Sequence, residues 1–393
     1  MSTRMFARTA QLLAKIEPTE GTDAVPTGTA NAMLVSDLSV NPLDGSEVDL
    51  AYVRAYLGIS PSIRVENFLS MSFMTDLAGT ATPGTAAPWG PVLRGCGFAE
   101  TLTGSAVTGA AQAGAASTIT LAAGASATDG TYVGTTISYT TGGTDFGTPR
   151  TIIAYNGTTK VATVDKDWDT PPGASSGYSI SANATYLPIS SAFESLTLYY
   201  NISGVRHKGL GAKGSVAFDL SANNRPSLKF NYIAAYGGVA DASEATPVYT
   251  GFQTPQTVGS LNTKALLAGK LADGSATGIQ LMKFDLDMAN AVKHRQLIGA
   301  ASVILTDRQP KGNVSFESTT VAFHDWFGDI LASTKYPFMI ENGLVAGNRA
   351  CIVLPNSQLA MPKYSDSDGI NMLDCEIRAI PLVANDEVRI VVK

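Results

Sequence analysis

Few residues in this chain are spaced for chemistry. Gly209-Leu210-Gly211-Ala212-Lys213-Gly214 fits the G-x-G-x-x-G pattern of a phosphate-cradling turn. That chemistry needs a helix opening on the glycines, so that free N–H groups and the helix dipole meet the anion. The next residues, Ser215-Val216-Ala217-Phe218-Asp219-Leu220, alternate as a strand does, so the glycine run reads as a flexible loop. Tyr364-Ser365-Asp366-Ser367-Asp368-Gly369 hints at a calcium loop, but its glycine comes too early and no Glu closes the ring at the twelfth position; it reads as a polar turn. His207, His294 and His324 show no His-x-x-x-His pairing, and Cys96, Cys351 and Cys375 are too scattered for a metal site or a disulfide framework. Asp285 and Asp287 share one face of a strand, the solvent side of an amphipathic one, and no Ser motif of the nucleophile-elbow type occurs. The expectation is a protein that is not an enzyme, with no cofactor and no metal.

The elements that would hold any site are mainly strands. With 38 Gly, 19 Pro and many Thr and Ser, the apolar stretches are too short for long helices. Alternation marks half-buried strands at Ser70-Met71-Ser72-Phe73-Met74, at Ser215 to Leu220, at Lys283-Phe284-Asp285-Leu286-Asp287-Met288 and at Glu387-Val388-Arg389-Ile390-Val391. Helical spacing appears only around Trp89 to Leu93 and over 321–331.

A length of 393 residues sets a prior of two or three domains. Hydrophobic residues at 45% exclude disorder, while 15% charged, against about 25% in ordinary domains, leaves surface meant for contact. A net charge of -6 argues against gripping nucleic acid through its phosphates. The amino-terminal stretch is interrupted by Arg4, Arg8 and Lys15 and reads as cytoplasmic synthesis. The uncharged run over 101–128 is Gly, Ala, Ser and Thr, too weakly apolar to span a bilayer, so no membrane segment is expected.

A pattern repeats. Leu57-Gly58, Leu69 to Phe73 and Trp89 to Leu93 recur in order as Ile298-Gly299, Gly312 to Phe316 and Trp326 to Leu331. Downstream, Gly209 to Gly214 with Val216 to Leu220 and Leu228 to Tyr232 is matched to Ser365 to Gly369 with Cys375 to Ile380 and Val388 to Val392. Trp89 to Val216 spans 127 positions and Trp326 to Cys375 spans 49, so the first copy carries 78 extra. A segment of that length, 105–182, is Thr/Gly/Ala-rich and reads as short strands, with a hairpin turn at Asn156-Gly157. The reading is two tandem β units, 1–104 with 183–245 and 246–393, and a small β domain at 105–182 spliced into the first and facing outward.

Particular words carry a resemblance. Ala10-Gln11-Leu12-Leu13-Ala14-Lys15-Ile16-Glu17, Gly21-Thr22-Asp23-Ala24-Val25-Pro26 and Asn41-Pro42-Leu43 resemble the opening of bacteriophage major tail tube proteins. Trp89 with Leu93-Arg94-Gly95-Cys96-Gly97-Phe98, Met361-Pro362-Lys363-Tyr364 and Asn385-Asp386-Glu387 are similar to later parts of the same family, that of long non-contractile tails. The resemblance implies β-barrel or sandwich units, each with a flanking helix, in a structural virion protein. Its subunits close into rings that stack into a hollow tube, assembled in the host cytoplasm, through which double-stranded DNA passes without specific binding. Implied partners are further copies of itself, the tape measure protein, the tail terminator and distal tail proteins. Six-membered rings of single-unit relatives imply a homotrimer with pseudo-sixfold symmetry for a duplicated chain. Extended loops that reach the neighbouring ring in this family correspond to 51–68 and 289–311. Their mixture of Tyr52, Arg54, Tyr56, Leu57, Arg64 and Glu66 is expected to form an inter-ring interface. The alternative is a carbohydrate- or receptor-binding adhesin, which needs an aromatic-lined groove; the insert offers Trp168 and scattered Tyr.

Overall fold

The computed structural model describes residues 6, 9–141, 148–273 and 278–393. Arg4 and Arg8 of the amino-terminal stretch lie outside the described residues. The fold is mainly β, at 50% strand and 4% helix.

The first half runs β1 (Gln11–Ile16), α1 (Gly28–Asn31), β2 (Ala32–Met33), β3 (Ser36–Asp44), β4 (Glu47–Asp49), β5 (Ser62–Arg64), β6 (Phe68–Asp76), α2 (Gly90–Arg94) and β7 (Phe98–Thr103). Seven strands of the insert come next: β8 (Val107–Ala110), β9 (Ala113–Ala115), β10 (Thr118–Thr120), β11 (Thr136–Thr141), β12 (Arg150–Asn156), β13 (Val161–Val164) and β14 (Gly177–Ile180). Then come β15 (Asn183–Pro188), β16 (Leu196–Ile202), β17 (Val205–Ser221) and β18 (Ser227–Asp241). The second half is β19 (Thr263–Leu267), β20 (Lys270–Ala272), β21 (Leu281–Asp287), β22 (Val292–Leu297), β23 (Ala300–Leu305), β24 (Lys311–Glu317), α3 (Trp326–Leu331), β25 (Lys335–Asn342), β26 (Ala350–Ser367), β27 (Ile370–Ala379) and β28 (Arg389–Val392).

Pairing is antiparallel throughout and its order recurs. In the first half the ladder is β2-β1-β16-β17-β18-β6-β3. In the second it is β20-β19-β25-β26-β27-β24-β21. Each position in one ladder has its counterpart at the same place in the other. The hairpin β4-β5 between β3 and β6 matches the hairpin β22-β23 between β21 and β24. The two long strands also bulge alike, with a left-handed residue at each bulge: Gly211 (φ 61) in β17 and Met361 (φ 50) in β26. A bulge of this kind turns the strand and raises its twist.

Three sequence expectations need correction. Gly209 to Gly214 is not a loop but the bulged middle of β17, and no helix opens on it. For that reason the downstream matching slips by one strand: β17 corresponds to β26, and β18 to β27, while β28 has no counterpart among the described strands. The extra length of the first half therefore includes the stem β7 and β15, which pair with each other, β15 also pairing with β28. The third concerns 321–331, where helix begins only at Trp326, because Asp325 caps it by accepting from Gly328 N at 2.9 Å.

The alternating strands face one large core in which Phe73, Phe230 and Tyr232 stack on one another, Trp89 packs on Tyr186, Phe284 on Phe338 and Phe316 on Trp326. Truncating one such ring to Ala typically costs about 3–5 kcal/mol. β21 and β24 approach so closely that a Cβ on Gly312 would sit 1.8 Å from the Asp285 carbonyl oxygen. The insert forms a separate seven-stranded sheet, β8-β14-β11-β12-β13-β10-β9, with Asn156 capping its β12-β13 turn through the Thr158 and Thr159 amides.

β28 departs from the expected half-buried pattern, since all of Arg389–Val392 are buried. The reason is a second apolar layer. Ala265, Leu267, Phe338, Ile340, Ile352, Leu354, Ile390 and Val392 point into the main core, whereas the residues between them, Leu266, Met339, Cys351, Val353 and Val391, pack under the insert.

Candidate assembly surfaces

The ladders meet edge to edge. After β16 ends, the same edge of β17 is taken by β21, with Ala217 opposite Asp287 and Ser221 opposite Lys283. Edges without a partner strand among the described residues include the outer sides of β2, β7 and β20 and two on longer strands. One is the outer edge of β3, which pairs only with β6. The other is the distal part of β26, beyond Gln358, which pairs only with β27. Around it Met361, Tyr364 and Ile370 are 73%, 54% and 50% exposed, and Tyr364 lies against Phe327 of α3. The shared bulge matches Met361 to Gly211 and Tyr364 to Gly214, both buried in β17.

The residues expected at an interface divide into two groups. Arg64 and Glu66 sit at the base of the β4-β5 hairpin. Arg64 Nη1 lies 3.2 Å from Glu47 and its Nε donates to Asn67 at 2.9 Å, while Glu66 lies 2.8 Å from His294 Nδ1 on β22. Tyr52, Arg54, Tyr56 and Leu57 form the tip, with the Arg54 guanidinium over the Tyr56 ring and Leu57 fully exposed. Tyr52, Val53, Tyr56, Leu57 and Ile59 thus form an exposed apolar patch. The counterpart hairpin β22-β23 lies across β17 and β18 of its own chain, with Lys213 donating to the Val303 carbonyl at 2.9 Å. Its tip, Leu297 and Ile298, is exposed in turn.

Sequence reasoning missed a buried ionic seam between the insert and the second half. Glu341 accepts from Lys393 Nζ at 2.8 Å and from Thr151 Oγ1 at 2.7 Å, and Lys264 Nζ lies 2.7 Å from Asp165. Burial opposes ionisation of Glu341, yet Lys393 and Lys264 outweigh it and hold its carboxyl at about 2. Lys264 is shifted up, with Glu341 and Asp165 overcoming its own burial. Lys393 also donates to the Gly134 carbonyl and Arg389 to that of Thr131. The insert is thus packed and ion-paired against β19, β25, β26 and β28. The only sign in the sequence is the lack of alternation in Cys351-Ile352-Val353-Leu354 and Ile390-Val391-Val392.

A second polar knot fixes the amino-terminal words. Glu17 is buried and accepts from Ser195, Thr197 and the amides of Gly21 and Gly211, while Asp23 accepts from Tyr199 and Lys208.

The chemical candidates fare differently. Among the described residues no cluster of His, Cys, Asp and Glu is arranged to hold a metal ion. All three cysteines are buried, and burial pushes each thiol up to about 12, far from a reactive thiolate. Asp285 pairs with Lys283 at 2.8 Å. Trp168, the ring a sugar groove would present, is buried against Tyr139. A cleft of about 730 Å3 is lined by Arg308, Lys311, Arg378, Glu376 and Glu387, where Arg308 is already paired with Glu387. Among the described residues no helix is long and apolar enough to cross a membrane. Compared with known proteins, the chain matches no family model and no curated protein.

Proposed function

We propose that this chain is a structural subunit of a bacteriophage tail tube: two tandem tube units that oligomerise into stacked rings around a bore for DNA. The observation that carries the reading is the edge-to-edge ladder. One chain already joins two like units through β17 and β21, and strand edges stay open at β3 and along distal β26 among the described residues. Strand addition at such edges builds rings without new folding. Low charge suits large permanent interfaces, as do the exposed Tyr56, Leu57, Met361 and Tyr364.

The face of the ladder opposite the core faces the bore in this reading. In the first half it offers Ser39, Asn41, Ser70, Ser72 and Asn231; in the second its carboxylates Asp285 and Asp374 sit among Lys283 and Ser315. A surface of hydroxyls and amides, with Lys283 paired to Asp285 and the exposed Lys229 and Lys311 scattered, offers a polyanion no continuous basic track to grip its phosphates. Three copies supply six units, so the ring is a pseudo-sixfold trimer decorated by three outward inserts. Such a subunit resides in the virion tail and meets the tape measure protein, the terminator and the distal tail proteins at the ends of the tube.

The test is polymerisation. Purified protein concentrated and imaged in negative stain is expected to form hollow rods. A species that stays monomeric at all concentrations, or binds glycans as a monomer, overturns the reading in favour of an adhesin.

A further inference from the structure

We infer that the cleft between the outer face of the first ladder and the turn leading into β22 is a binding site for primary ammonium groups, sized for a short aliphatic diamine. The inference goes beyond the tube reading and does not depend on it.

The cleft holds about 380 Å3. Its floor is the hydroxyl- and amide-bearing side of β3, β6 and β18, where Asn41 lies opposite Ser70 and Ser72 opposite Asn231. Asn290 and Val292 close it from the turn, with Ser215 of β17 bonded to Asn290. Every polar side chain in the lining is uncharged, yet the hydrogen bonds already made leave acceptors free. Asn290 spends both amide hydrogens on the Cys96 and Gly214 carbonyls, at 2.7 and 3.0 Å. A flipped carboxamide would set oxygen against those two oxygens, so Oδ1 is fixed as a buried acceptor, and it has no donor among the described residues. Ser70 gives its hydroxyl hydrogen to Asp44 at 2.8 Å. Ser215 accepts from the Asn290 amide at 3.1 Å and turns its own hydrogen toward Asp287 at 3.5 Å. Both hydroxyl oxygens therefore keep a lone pair, and each is backed by a carboxylate. Asp44 and Asp287 form no ion pair among the described residues: Arg64 and His294 are held by Glu47 and Glu66, and Lys311, opposite Asp287 in register, does not reach it. An acceptor backed by an unpaired carboxylate favours a donor that carries positive charge. Ser70 and Ser215 stand on strands separated by β18, roughly 10–12 Å apart from two strand spacings and a two-residue offset. Two ammonium groups on a short chain match that span, with Ile233 and Val292 beside the methylenes. The same face of the second ladder is instead crossed by the pairs Lys283 with Asp285 and Arg378 with Glu376.

The probe is 1,4-diaminobutane at neutral pH, followed by saturation-transfer NMR, with 1,4-butanediol as the uncharged molecule of the same length. The diamine is expected to saturate in the millimolar range and the diol to show no saturation. Asp44→Asn with Asp287→Asn keeps the shape and removes the charge, and is expected to weaken the diamine about tenfold, the worth of one charge-assisted hydrogen bond. Asn41→Leu with Asn231→Leu, both exposed, fills the cleft at constant charge and is expected to abolish binding. Asp366→Asn with Asp368→Asn, exposed at the β26-β27 turn, removes as much charge elsewhere and is expected to change nothing. Circular dichroism melts confirm that each variant folds. Equal binding of the diol makes the site one for neutral hydroxyls and overturns the inference. Undiminished binding by the cleft-filling variant, or an equal loss from the pair at the turn, makes the diamine a mere counterion of an acidic surface and overturns it too. Rod formation is scored separately in negative stain: rods without diamine binding leave the tube reading standing and this site fallen, and diamine binding without rods does the reverse.

Discussion

Glu341 decides how the insert is held. Its carboxylate sits between Lys393 and Lys264 in a place where an unpaired charge is costly, so Glu341→Gln leaves two buried ammonium groups undercompensated. The expected loss is roughly 3–5 kcal/mol, read as a lowered denaturant midpoint. The pH dependence has a definite sign. A carboxyl held below its ordinary 4.5 contributes stability that is fully present above that value and fades as pH falls toward about 2. Acid titration of the unsubstituted chain is expected to show this loss, and the Gln variant to lack it. The charged members of this seam were not legible in the sequence, because Thr151, Asp165, Lys264, Glu341 and Lys393 come from five separated places and share no spacing; only the unalternating apolar runs beneath the insert hinted at a covered face.

At the level of strands, alternation served well wherever one face meets the core and the other meets water. β6, β17 and β21 lie where Met71, Phe73, Val216, Phe218, Phe284 and Leu286 place them. It failed at β28, which is covered on both sides, and at Gly209 to Gly214, where glycine density signals a bulged strand and not a loop. The hairpin tip carries its own prediction. Replacing Tyr56 and Leu57 with Ser removes two exposed apolar groups that touch no core residue, so the fold should be unchanged while tubes become shorter in electron micrographs. The insert makes a further one. Replacing 105–182 by a short Gly/Ser linker uncovers Leu266, Met339 and Val353 and should make the chain aggregate. Adding Leu266→Ser, Met339→Thr and Val353→Thr to that deletion should restore solubility and tubes of unchanged bore.

For the whole molecule, the repeat was legible as an order of strand, strand and Trp-bearing helix, but its strand-by-strand match required the pairing itself, since the two halves share few identical residues. On the proposed reading of two tandem units, the recurring pairing order bears on symmetry. If one chain contributes two units and one insert, a closed ring of six units has three inserts on its rim and a mass of three chains. End-on averaging of rings or short tubes in electron micrographs reads this symmetry without any substitution. Duplication predicts a hollow ring with six inner units and three outer projections. A ring with six projections, or particles without a central bore, would contradict it.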